Sequence, residues 1–303
     1  MNKFIRKAFT LIELLVVIAI IGILSGLIVV SMSGVTQKAN IAKAQVFSSS
    51  LRNALMMDLV SEWKFDGGTI EGTATVGDVL DSWSNNNAIT VIGVPIIKGG
   101  TDCVSGNCIQ FNGSTDSIDF GNKAVFSMGI KDHTISLWVK FNNNLALQDE
   151  TLIKTGGGGG GAGYWVRRPN GSSALNVGFN DGSGEINGYI SNSGGLISNS
   201  WYNIVIIFDR DGHIKSYVNG QIQSNSYSIA AKTADVSNAR TLTLGAYTSD
   251  RLAGKMDEVR IFHAIPQISW IKEQYYIGLN KLLSSGNISI TDYQSRLLII
   301  ANK

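Results

Sequence analysis

The feature that most constrains this chain is a long apolar run near its start, interrupted by one carboxylate. After Lys3, Arg6 and Lys7, the stretch from Phe9 to Gly34 carries a single charged side chain, Glu13. From Leu14 to Val30 there is no charge at all, and Leu11, Ile12 and Met32 extend the run on either side. That length sits at the short end of what crosses a bilayer, for which about 20 apolar residues are needed. Basic residues ahead of such a run hold the N-terminus in the cytoplasm and send the C-terminal side across. An ordinary secretory signal has a shorter apolar stretch with a small-residue cleavage site soon after it. Ala42-Lys43-Ala44 has the small residues but lies beyond Lys38, far from the apolar end. A plain membrane anchor accounts for the hydrophobicity but not for Glu13, because a carboxylate inside a membrane segment is expensive and by default functional.

Arg6-Lys7-Ala8-Phe9-Thr10-Leu11-Ile12-Glu13 resembles the prepilin cleavage and methylation motif of type IV pilins and pseudopilins. The resemblance implies a leader of residues 1–8, cut by a membrane prepilin peptidase between Ala8 and Phe9. It also implies methylation of the new N-terminus at Phe9 and a requirement for Glu13 in assembly. The residue usual before the cut is Gly; here it is Ala8. In a packed bundle of apolar helices one buried carboxylate per subunit needs a partner, and the free amine of Phe9 on a neighbouring subunit supplies one. The partners so implied are other pilin subunits, the peptidase, and the inner membrane before assembly. The expected location is a single-pass inner-membrane protein with its N-terminus inside, later extracellular in a pilus or pseudopilus.

Beyond Gly34 the pattern turns amphipathic. Ile41, Ala44, Leu51, Leu55 and Leu59 recur at helical spacing, with Lys38, Lys43, Arg52 and Asp58 off that stripe. No proline interrupts it, so the spacing predicts one long helix from about Phe9 to about Asp58, within a segment 9–59. Gly22 and Gly26, four apart, would let such helices approach closely.

From Val60 the period becomes two. In Thr134 to Phe141, residues Ile135, Leu137, Val139 and Phe141 share one face. Trp201 to Phe208 reads as a more continuously apolar strand, and Arg240 to Leu244 and Met256 to Phe262 as late ones. Asn219-Gly220 predicts a type I′ turn and Asp211-Gly212 a second. Gly156 to Gly161, between strand-like runs at Thr151–Lys154 and Tyr164–Arg168, reads as a hairpin tip. With 34 Gly and 3 Pro and many short strands, the body is a sandwich or jelly roll. The fold class expected is α+β overall: a long N-terminal helix, an all-β antiparallel jelly-roll head over 60–281, and short C-terminal helices. One helix spans Ser269 to about Lys281; Thr291, as the cap of a Thr-x-x-Gln box ending at Gln294, would start another in the tail 282–303.

Several short stretches, in order, resemble the laminin G-like (concanavalin A-like) jelly-roll module. They include Glu62-Trp63-Lys64-Phe65-Asp66, Asp81-Ser82-Trp83-Ser84-Asn85-Asn86-Asn87, Ile109-Gln110-Phe111-Asn112-Gly113, Tyr217-Val218-Asn219-Gly220 and Met256-Asp257-Glu258-Val259-Arg260-Ile261. The resemblance implies a structural calcium ion, with Asp66, Asp81 and Asp257 as carboxylate ligands and Asn85 and Asn87 as amide donors. It also implies a glycan or surface-protein ligand, for which Trp83, Tyr164, Trp165 and Tyr247 offer stacking faces near loops. The opposing reading of those aromatics is core, and of the Asp, Ser and Asn residues, turn-formers.

Cys103 and Cys108 form a close pair that in an exported chain reads as a local disulfide. Half a metal site is the rival, but His133, His213 and His263 are scattered singly. Chemistry finds little footing. The chain has seven Glu and no Glu-x-Asp-x-Glu strand of the kind a glycosidase needs for its two facing carboxylates. No phosphate loop, nucleophile elbow or zinc-protease helix is present. Lys+Arg at 25 against Asp+Glu at 23 gives +2, so nothing points to nucleic acid. The expectation is a non-enzymatic, filament-forming subunit that displays a lectin-like head. Its alternatives are a pseudopilin of a secretion or DNA-uptake machine, and a surface-anchored glycan hydrolase.

Overall fold

The computed structural model describes residues 11–23, 58–144, 146–156, 161–190, 195–236 and 241–301. The chain divides into two units, residues 1–54 and 55–303. In the first, residues 11–23 form a helix, α1, with every residue solvent-exposed. The expected continuation of this helix over 24–57, Gly26 included, lies outside the described residues, as do Ala8, Phe9 and residues 157–160 of the glycine-rich tip. Among the described residues no helix is long and apolar enough to cross a membrane.

The second unit is an antiparallel β-sandwich. Its nine-stranded sheet runs β13 (Gln221–Ile222), β12 (His213–Val218), β11 (Trp201–Phe208), β6 (His133–Phe141), β18 (Ala253–Phe262), β4 (Asn107–Asn112) and β3 (Ile96–Gly99). To this path β1 (Leu59–Trp63) adds on β18 and β14 (Tyr227–Ser228) on β12. The seven-stranded sheet runs β10 (Glu185–Ile190), β9 (Leu175–Asn180), β8 (Gly163–Arg168), β7 (Glu150–Lys154), β15 (Thr243–Leu244), β5 (Ser117–Asp119) and β2 (Thr90–Ile92). A small hairpin joins β16 (Ala246–Tyr247) to β17 (Asp250–Arg251).

Alternation decides which side chains fill the space between the sheets. Ile135, Leu137, Val139 and Phe141 of β6 and Ile204, Ile206 and Phe208 of β11 meet Val166, Val177 and Phe179 of the other sheet in one buried core. The opposite face of the large sheet is also covered, which is why β11 reads as continuously apolar. There α2 (Ile268–Ser284) lays Tyr275, Leu279 and Leu282 on Trp138 and Trp201, and Trp270 and Ile271 on Val205, Ile207 and Phe262. Tyr275 stacks on Trp138 at 5.7 Å between centroids. The contact needs Gly278: a Cβ there would meet Trp138 Cζ2 at 2.2 Å. A mid-helix glycine costs about 1 kcal/mol relative to alanine; here it admits an indole.

Two local expectations need correction. Asn219 and Gly220 both have positive φ (52° and 74°), as a type I′ turn requires. Neither Asp211 nor Gly212 does. Their connection is the four-residue turn Asp209–Gly212, closed by Gly212 N–H donating to Asp209 O at 2.9 Å. The last helix, α3 (Ile290–Ala301), is capped by Ser289 and not by Thr291. Ser289 Oγ accepts the Asp292 N–H at 3.1 Å, and Thr291 lies inside the first turn. The tail is docked on the head: Tyr293 Oη donates to Asn280 Oδ1 at 2.6 Å, and Arg296 donates to Trp201 O at 3.2 Å.

Candidate functional site

Glu13 lies on α1 and is exposed, with apolar neighbours Leu11, Ile12, Leu14 and Leu15 equally exposed.

In the head the chemistry-bearing residues gather where β18 bulges. Asp257 pairs with Trp138 and Arg260 with Ser136, so β18 carries one extra residue there. Glu258 takes up the slack at φ 51°. The bulge switches the parity of the strand. Met256, Val259 and Ile261 all face the sandwich core, while Asp257 and Arg260 face outward. Arg260 Nε donates to Glu62 Oε1 at 2.6 Å, and its Nη2 pairs with Glu258. Lys64 lies 3.1 Å from Glu62 Oε2, and Lys281 of α2 lies 3.4 Å from Glu258 Oε1. Burial pushes the Glu62 carboxyl up, but Arg260 and Lys64 together hold it below the usual carboxylate range.

Asp257 is fully buried beneath the loop that leads into β4. Its Oδ2 accepts the Val104 and Ser105 N–H groups, each at 2.9 Å, while Oδ1 has no partner. Burial, reinforced by the neighbouring Glu258 carboxylate, raises its carboxyl well above the usual range, against the pull of the Ser105, Val104 and Glu258 N–H groups. The loop is closed by a Cys103–Cys108 disulfide. It is held from other sides by Asp66 Oδ1, which accepts Asn107 N–H at 2.9 Å, by Asn287 Nδ2, which donates to Cys103 O at 2.8 Å, and by Lys281 Nζ, which donates to Ser105 Oγ at 2.7 Å. Between this loop and the end of α2 lies a cleft of about 510 Å³.

The remaining residues expected to hold an ion are engaged locally. Asp81 Oδ1 accepts N–H groups of Glu62 (3.0 Å), Trp83 (2.9 Å) and Ser84 (3.1 Å), and Oδ2 accepts the Ser84 hydroxyl (2.5 Å) and Asn86 N–H (3.2 Å). Burial works against its ionised form, but these donors outweigh it and hold the carboxyl below its ordinary value. Asn87 Oδ1 accepts Asp81 N–H at 2.8 Å, and Asn87 Nδ2 donates to Asn85 Oδ1 at 3.2 Å. The Asp-Ser-Trp-Ser-Asn-Asn-Asn stretch is thus a turn that knots itself to β1. Among the described residues no three His, Cys, Asp or Glu side chains converge as metal ligands. Of the three carboxylates expected to ligate calcium, Asp81 has both oxygens engaged within its own turn, Asp66 Oδ1 accepts Asn107 N–H, and Asp257 is buried beneath the disulfide loop. Of the aromatics, Tyr164 and Trp165 are buried and Trp83 is 46% exposed. Tyr247 lies under the Lys154 ammonium.

The Glu62–Arg260–Glu258–Lys281 relay and the cleft were missed from sequence. Their one signal is Asp257-Glu258 directly ahead of a core-periodic run, which breaks the alternation.

Residues 4–29 match the model of the prokaryotic N-terminal methylation motif. Residues 112–267 match that of the concanavalin A-like lectin/glucanases superfamily. The botulinum neurotoxin serotype G binding domain is 19% identical, with a TM-score of 0.56, covering 73% of this chain and 51% of that one. The binding domain of Paraclostridial Mosquitocidal Protein 1 is 18% identical at a TM-score of 0.56, covering 75% and 53%. The binding domain of botulinum neurotoxin DC in complex with SialylT is 14% identical at a TM-score of 0.56, covering 75% and 52%. This chain spans about half the length of those structures, and the likeness is one of fold. With just over half of its length matched, the chain belongs to the concanavalin A-like lectin/glucanases superfamily, and it carries a prokaryotic N-terminal methylation motif ahead of the sandwich.

Proposed function

We propose that this chain is a type IV pilin-like structural subunit that displays a lectin-like head for adhesion or ligand binding. Its leader is removed between Ala8 and Phe9, Phe9 is methylated, and the apolar helix then packs into a filament with Glu13 paired to the Phe9 amine of a neighbour. The observation that carries the reading is the coupling of the methylation motif to a large sandwich that is complete in its own core. Binding is favoured over catalysis because the head's buried glutamates are ion-paired: Glu150 with Arg168, and Glu62 and Glu258 with Arg260.

The test is the mass and N-terminal sequence of the chain made with and without a prepilin peptidase. A product starting at methylated Phe9 is expected. A product still starting at Met1, or one starting near Gln45, overturns the processing step. Glu13→Ala is then expected to insert in the membrane and fail to enter filaments; normal incorporation would refute its assembly role.

A further inference from the structure

We propose that the buried His133–His263 pair is an acid sensor: in mild acid it takes up protons that the closed sandwich cannot hold, and the head loosens. The device lies apart from the reading of the head as a ligand-binding module and would stand without it.

His133 opens β6 and by alternation shares the inward face of Ile135 and Leu137. It has no solvent exposure. Aromatic rings lie beside it: Tyr164 at 4.8 Å between centroids, His263 at 5.4 Å and Phe208 at 6.4 Å. Neither of its ring nitrogens has a hydrogen-bond partner, and Nε2 of His263 has none either. Two histidines remote in sequence thus meet at one end of the sandwich, with ring nitrogens buried and unpaired. Polar bonds close the same end. His263 N–H donates to Asp58 O at 2.9 Å, where the chain enters β1. Tyr164 Oη donates to Phe126 O at 3.2 Å, and Thr134 Oγ1 donates to Ala264 O at 2.6 Å.

A neutral imidazole tolerates this setting and an imidazolium does not. It would carry two N–H donors and a charge into an interior where His133 meets no acceptor. The charged groups nearby do not compensate. Lys131 and Asp58, both exposed, act on His263 with opposite signs, Lys131 the more strongly. Asp132, next to His133 in the chain, accepts Arg210 N–H at 2.8 Å. Tyr164 is a phenol that burial keeps neutral. Burial, and then a charged His263, hold the His133 imidazole well below its ordinary range. Burial, and then Lys131, lower His263, with the Val125 carbonyl and Asp58 pulling the other way. The sign follows from these directions. In the unfolded chain both rings take a proton as pH falls through about 6.5. In the fold they take it at lower pH. The pair's contribution to stability is therefore whole above about pH 7 and is lost as pH falls from about 6.5 toward the folded values.

The test is denaturant unfolding of the full chain in detergent micelles, followed by near-UV circular dichroism at about pH 7 and about pH 5, for the wild type and His133→Phe. From the higher to the lower pH, the wild-type unfolding constant is expected to rise about 25-fold more than that of the variant. That is the effect of one histidine that titrates at about 6.5 unfolded and stays neutral in the fold. His263→Gln should differ from wild type less, with the same sign. Asp257 contributes with the opposite sign, and the comparison cancels it because both chains carry it. Equal shifts in wild type and His133→Phe overturn the proposal. If that variant does not fold, His133→Gln takes its place in the same comparison, and imidazole NMR of the wild type decides. The His133 Cε1–H signal should keep its neutral position at about pH 5, and a titration near about pH 6.5 with the fold intact overturns the proposal.

Discussion

Two buried carboxylates of the head meet their burial in opposite ways. Glu150 on β7 faces Arg168 across the strand pair, both essentially without solvent exposure, and receives Arg168 Nε at 2.6 Å. The guanidinium also donates to Asn143 O at 2.8 Å and lies 4.0 Å over the Phe141 ring, and the second Glu150 oxygen accepts Ala253 N–H at 3.2 Å. Burial pushes the Glu150 carboxyl up and Arg168 draws it back part of the way. Asp257 has no such cation. It is satisfied on one oxygen by backbone alone and left bare on the other. The first arrangement ties side chain to side chain across strands. The second uses a carboxylate to fix a loop, and leaves that loop answerable to a proton.

The comparison is most open to attack at Arg168. Arg168→Met should cost about 4 kcal/mol, because it strands Glu150 in the interior, while the double change Arg168→Met with Glu150→Leu should recover most of that. Chemical denaturation measures both; a single mutant within about 1 kcal/mol of wild type would mean that water reaches the pair. Asp257→Ala comes next, at about 3 kcal/mol, since two backbone N–H groups lose their acceptor at about 1–3 kcal/mol each. Asp257→Asn keeps the acceptor and removes the titration. Because the folded carboxyl titrates above its unfolded value, the fold holds the proton that the unfolded chain releases. Wild-type stability should therefore fall as pH rises from about 4 toward the folded value, and the Asn variant should lack that component. Parallel wild-type and Asn curves between about pH 4 and 8 would remove the contrast with Glu150. Replacing Cys103 and Cys108 by Ser should cost about 2 kcal/mol, the entropy of so small a loop. Calcium should have the smallest effect: melting with millimolar calcium or with a chelator should coincide, because Asp81 and Asn87 are already hydrogen-bonded within their own turn. A rise with calcium would mean that the chain holds an ion after all.

What could be read in the sequence follows from which forces act locally. The inner faces of β6 and β11 were legible because alternation reports burial on one side. The Asn219-Gly220 turn was legible because its backbone admits few residues. The Cys pair was legible from its close spacing. The bulge at Glu258 was not, because one extra residue in a strand changes parity without changing composition. Thr291 fits the pattern of a capping box, but Ser289 lies where the chain turns into α3. The cleft escaped for a different reason. Its walls, residues 100–107 and 281–285, are brought together by packing of α2 on Trp138 and Trp201, a long-range event that no local pattern announces.

That packing has a consequence for how the chain is made. Strands β6 and β11 are complete long before α2 is synthesised, yet Trp138, Trp201, Val205 and Ile207 have no cover until it arrives. A chain cut short before Ile268 would carry a finished interior and an open, oily back. Such a product would be sticky rather than unfolded, and the surface that gave it away to a chaperone or protease would be the one that the final helices hide.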